Sequence, residues 1–223
     1  MIINQWPPLA ISLWVSTLAG LIALACGTAL AWLLVKKTFW GKPILESLTL
    51  LSLVLPPTVL GYYLLVFLGQ RGLGAFLEGT LGLSFVFAWP GAVVAASITA
   101  LPLVLQTVKL SFSEISKEIE DAAQVDGCTE WQLFWLVVLP IAWRGVIAAG
   151  LLGFLRALGE FGATLMVAGN IPGQTQTLAM AIYDAVQAND LGRANGLALL
   201  LVGIAFGLLF LALWLNRRIL EKS

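Results

Sequence analysis

EDAAQVDGCTEWQLFWLVVLP, residues 120–140, is the longest stretch of this chain that is neither an apolar span nor a short connection. Glu114, Lys117, Glu118, Glu120, Asp121 and Asp126 gather around its start, while the chain on either side is almost free of charge. Ser116 is placed to cap a helix running through Ala122 and Ala123, and Gly127 stands where a left-handed residue would end it. Thr129 opens a second helix, with Gln132 three residues later completing a capping box. Pro140 marks a kink or a new boundary. The expectation is two short helices at an angle, the first with a small, flat face of Ala122 and Ala123.

Outward from this stretch the chain turns apolar. Of 223 residues 60% are hydrophobic and 11% charged, with a mean hydropathy of +0.95, more apolar surface than a soluble domain can hide. The reading is an all-α polytopic transmembrane bundle of about five spans, a single domain over residues 1–223. The spans run over residues 9–35, 48–68 (interrupted by Pro56 and Pro57), 85–108 (with Pro102 near its end), 145–169 and 194–215. Between the second and third lies a short loop with Arg71, several glycines and Glu78. No basic segment precedes the first apolar run, so that run is expected to be retained as a span.

Lysine and arginine set the orientation. Lys36, Lys37, Lys42, Lys109, Lys117, Arg144, Arg217, Arg218 and Lys222 lie on one side, and only Arg71 and Arg193 on the other. This puts the N-terminus outside, the C-terminus inside, and the loop of about residues 113–140 in the cytoplasm. Zero formal net charge argues against a nucleic-acid partner. With no histidine, and with Cys26 and Cys128 in the first span and the loop, neither a disulfide framework nor a Cys/His metal site is available, and no cofactor is expected.

Two further features bear on function. Thr177 can cap a helix in which Leu178, Ile182, Val186 and Asn189 recur, at the outer surface or re-entrant. Small residues four apart, Ala23/Gly27, Ala96/Ala100 and Gly203/Gly207, together with Gly150, Gly153, Gly159 and Gly162, fit close helix packing. The prolines free backbone carbonyls, which is tolerated where helices line a cavity or are buried in protein, so the second, third and fourth spans are the candidate pathway. In the fourth, Arg156 and Glu160 stand four residues apart. Charges at such depth are costly and usually paired. The reading taken is a self-neutralising pair that fastens the span; the alternative is that Arg156 lines the route of an anion.

The 120–140 stretch resembles the coupling loop of ABC-importer permeases, Glu-Ala-Ala, three residues, Gly, nine residues, Ile-x-Leu-Pro. Here the positions are Asp121-Ala122-Ala123, Gly127 and Val137-Val138-Leu139-Pro140, with Asp for Glu and Val for Ile. The resemblance implies that Glu120, Asp121, Ala122, Ala123, Gly127, Leu139 and Pro140 serve docking into an ATPase subunit. Arg156 to Gln187, RALGEFGATLMVAGNIPGQTQTLAMAIYDAVQ, resembles molybdate permeases, as does Val54 to Leu65, VLPPTVLGYYLL. Sulfate permeases are similar around Arg156 to Gly162 and diverge afterwards. The resemblance implies a bacterial or archaeal cytoplasmic-membrane assembly of two permease copies, two ATPase subunits and an external binding protein for molybdate or tungstate. It also implies that the chain begins at the first of five core spans.

The division of labour agrees with the residues. A phosphate-binding G-x-x-x-x-G-K-[ST] loop is missing, since Gly41-Lys42 is followed by Pro43, and no nucleophile–base constellation occurs. The chain is read as a non-catalytic permease. The alternatives are a sulfate or other oxyanion permease, an ion-coupled secondary transporter, and a purely structural membrane subunit. The second would show an inverted repeat and intramembrane acids, of which only Glu160 qualifies.

Overall fold

A computed structural model describes residues 7–70 and 72–220, and all regular structure among them is helical. The centre is a trio: α1 (Pro8–Lys36), α5 (Trp89–Ser113) and α9 (Trp143–Leu158). Alanine lines their contacts: Ala19, Ala23 and Ala31 from α1, Ala92, Ala96 and Ala100 from α5, Ala149 and Ala157 from α9. Val104 of α5 sits between two glycines. A Cβ on Gly27 would lie 2.8 Å from one of its methyls, and a Cβ on Gly153 would lie 2.6 Å from the other. Close approach at the trio therefore depends on the missing side chains of Gly27 and Gly153.

Three helices, α1, α5 and α12 (Leu191–Leu220), are long and apolar enough to cross a membrane, and two bent pairs raise that number to five if each counts as one span. The second expected span is not one helix. α2 (Lys42–Val54) and α3 (Pro57–Leu68) meet at 116°. Pro56 and Pro57 offer no amide, and Leu55 and Pro56 are extended, at ψ 139° and 134°. Pro102 acts differently, leaving α5 continuous. The carbonyl it strands, that of Ile98, accepts the Ser52 hydroxyl of α2 at 3.2 Å, which ties the two helices together.

The fourth expected span is also broken. α9 ends at Leu158, residues 159–161 leave the helix, and α10 (Gly162–Ala168) resumes. This break packs against the first one, since a Cβ on Gly162 would come within 2.9 Å of Pro57. Just beyond, Gly61 of α3 faces Ala163 and Met166 of α10. The expected loop after the second span contains a helix, α4 (Leu73–Leu81), ended by Gly82 at φ +64°. Arg71 and Lys222, both used in the orientation, lie outside the described residues.

α11 (Leu178–Gln187) starts where Thr177 accepts the amide of Met180. Its buried positions are Leu178, Met180, Ala181 and Ala185, so the covered face is displaced from the expected one, and Asn189 lies past its end at φ +57°. The Leu178 amide donates to Ser12 of α1 at 2.7 Å, and Asp184 accepts from Asn170 and Gln176, each at 2.6 Å. α12 packs on α11 and otherwise presents apolar side chains outward, among them Leu199, Val202, Phe206, Phe210 and Leu213. A Cβ on Gly203 or Gly207, both expected at a helix contact, would meet nothing within 4 Å among the described residues.

Candidate functional site

α6 (Lys117–Val125) follows Ser116, which is extended as an N-cap residue should be, but its hydroxyl makes no capping bond. The Glu118 carboxyl is held below the ordinary carboxylate range by a backbone hydrogen bond and then by the Ser116 hydroxyl. The far end closes as expected. Gly127 is at φ +88°, its amide donates to Gln124, and the Cys128 amide reaches back to Ala123, each at 3.0 Å. These two bonds form a Schellman motif.

The second half begins with the expected box. Thr129 accepts the Gln132 amide, and the Gln132 side chain accepts the Thr129 amide at 2.9 Å. After α7 (Glu130–Gln132) the chain widens into a π-helical turn over Leu133–Val138, then returns in α8 (Leu139–Ile141). Pro140 has no amide to donate, and its ring would crowd the Leu136 carbonyl in a regular α-helix. The wider turn moves that carbonyl aside. The boundary itself falls at Ala142, two residues past Pro140, where the Glu130–Ile141 segment and α9 meet at 78°.

The structure divides the proposed docking residues into two groups. Asp121 and Ala122 face outward, beside Ile119 and Val125, the last 87% exposed. Glu120 is buried, and Ala123 is half-buried against the chain's own core. The Ala122–Ala123 pair is thus not one flat face, since neighbours on a helix point about 100° apart. Gly127 and Pro140 are exposed and Leu139 is half-buried.

Sequence reasoning did not foresee what holds the loop. Lys36, in the last turn of α1, forms an ion pair with Glu120, and Lys37 pairs with Glu130. Trp32, one turn back, meets Phe112 and Phe134 edge to face, at ring distances of 6.4 and 5.1 Å, and the Lys36 ammonium lies 5.6 Å from its indole. Lys109 and Glu46 join α5 to α2 at the same end of the bundle. Lys36, Lys37 and Lys109 were legible only as orientation signals, because their partners lie 63 to 93 residues away in the chain.

Arg156 and Glu160 do form a pair, with Nη1 2.8 Å from Oε2. They do not lie along one helix side, however, because Glu160 sits in the break after α9. Its other oxygen accepts the Ala163 amide at 3.0 Å, so the same carboxylate also starts α10. Glu160 is buried, whereas the Arg156 side chain remains 31% exposed. Among the described residues no His, Cys, Asp and Glu side chains gather as metal ligands.

Long apolar helices, two abutting helix breaks and one clamped polar loop define a multi-pass helical membrane protein built around that loop. Over residues 8–222 the chain matches the family described as binding-protein-dependent transport system inner membrane component, and it belongs to that family. It is 40% identical over 222 residues to the molybdenum transport system permease protein ModB of Escherichia coli (strain K12), covering 98% of this chain and 96% of that one. With the sulfate transport system permease protein CysT of the same strain it shares 33% over 184 residues, covering 82% and 66%. A solved structure of the MetNI methionine ABC transporter in an inward-facing conformation superposes with a TM-score of 0.72 at 18% identity, over 94% of this chain and 93% of that one, and shares the fold.

Proposed function

We propose that this chain is the permease subunit of an ATP-driven importer that passes molybdate, and tungstate by the same chemistry, into the cytoplasm. The observation that carries this reading is the near-full-length similarity to a molybdenum transport permease, which exceeds the similarity to a sulfate permease in identity and coverage. The chain hydrolyses no ATP itself. Two ATPase subunits dock beneath two copies of it, at the outward Asp121–Ala122 side of α6, and an external binding protein delivers the oxyanion. The oxyanion route follows the abutting breaks at Pro56–Pro57 and at residues 159–161. Non-helical backbone at membrane depth belongs where it is buried in protein or lines a wet cavity.

Cells lacking this subunit should lose molybdate uptake at low external concentration while sulfate uptake continues. Loss of sulfate uptake with molybdate uptake intact would move the chain to the sulfate group. The assembly sits in the cytoplasmic membrane with the loop inside. A cysteine placed at the exposed Gln174, beside the buried Thr175, should therefore react with an impermeant reagent in intact cells, and one placed after Lys36 should not. The opposite labelling pattern would invert the topology and remove the ATPase from the loop.

A further inference from the structure

The last two turns of α1 grip both halves of the loop. Lys36 holds α6 through Glu120, and Trp32 holds the π-helical turn through Phe134. The side chains of Lys36 and Glu120 are 17% and 10% exposed, and Glu120 points away from the outward face of α6. A residue so placed offers little surface to a docking ATPase. At its other end α1 is bonded through Ser12 to α11, and along its length it packs on α5 and α9.

From these contacts we infer that the Lys36–Glu120 pair is a transmission strut, a positioning element through which displacement of α6 is passed to α1 and so to the helices of the pathway. This rests on the proposed importer function and assigns Glu120 a role distinct from ATPase contact. A charge pair largely withdrawn from water resists separation, because either charge left alone has lost its hydration without a partner. It therefore ties α6 to α1 more firmly than the exposed pair of Lys37 and Glu130, whose side chains are 46% and 65% exposed.

The test compares the whole assembly, with its ATPase and binding protein in vesicles, as wild type, Lys36→Met, Glu120→Gln, the double variant Lys36→Met/Glu120→Gln, and Lys36→Arg. Recorded are ATPase association, thermal stability, and ATP hydrolysed per molybdate imported. Each neutral single variant should retain the ATPase yet spend roughly fivefold more ATP per ion, the lower end of ordinary coupling free energies. The double variant strands no charge, so its stability should return towards wild type while its coupling stays poor. Lys36→Arg should couple normally. Recovery of coupling along with stability in the double variant would reduce the pair to a folding contact and overturn the strut. So would loss of the ATPase from the single variants, or wild-type coupling in both. Failure of the wild-type assembly to import molybdate would instead strike the proposed function.

Discussion

Glu160→Ala is expected to lower stability by about 3 kcal/mol, among the largest effects of any single change within the membrane region. The carboxylate serves two partners, the Arg156 guanidinium and the Ala163 amide, and it is almost fully buried. Removing it leaves a cation and a backbone donor unpaired where water is scarce. The partial exposure of Arg156 keeps the cost at the lower end of the range for broken buried pairs. Thermal unfolding in detergent reads this directly. The swapped variant, Arg156→Glu with Glu160→Arg, sharpens the point. It restores the ion pair, but arginine has no acceptor for the Ala163 amide. Recovery should stop about 1 kcal/mol short of wild type. Full recovery would mean that the start of α10 draws nothing from Glu160. Recovered stability without recovered uptake would favour a pathway role for Arg156.

The second large effect is functional and comes from Gly127→Val. A Cβ at this position would meet nothing within 4 Å, so space is not the obstacle. The obstacle is the backbone: φ +88° is costly for a β-branched residue, by about 1–3 kcal/mol. The chain relieves that strain by abandoning the Schellman bonds, which set the angle between α6 and α7. The variant should insert normally and associate with the ATPase at least about tenfold more weakly, as a loss of 1.4 kcal/mol implies. Gly127→Asn should largely restore binding, because asparagine tolerates the left-handed region. Equal damage from both substitutions would point to the glycine surface itself rather than the turn, and normal transport in both would reject the loop as the docking element.

Where chain neighbours decided the outcome, the sequence was sufficient. The apolar runs announced a helical membrane protein, because nothing but a helix satisfies the backbone over such lengths in lipid. The Thr129–Gln132 box and the positive φ of Gly127 were legible for the same reason, since each involves atoms only a few residues apart. Arg156 and Glu160 were recognisable as a pair, four residues apart and alone in an apolar stretch.

Where distant segments compete for the same atoms, only the tertiary structure could decide. Pro56–Pro57 and Pro102 look alike as helix breakers, yet one site bends the chain by 116° and the other does not. The doublet holds Pro56 extended, whereas the lone Pro102 strands one carbonyl, which only the fold shows Ser52 to satisfy. Glu120 and Asp121 are adjacent acids of the same helix, and helical geometry sends one inward and one outward. Which is which depends on where Lys36 stands, 84 residues earlier in the chain. A motif names the residues, but the packing of α1 beneath the loop determines which of them are free to meet a partner.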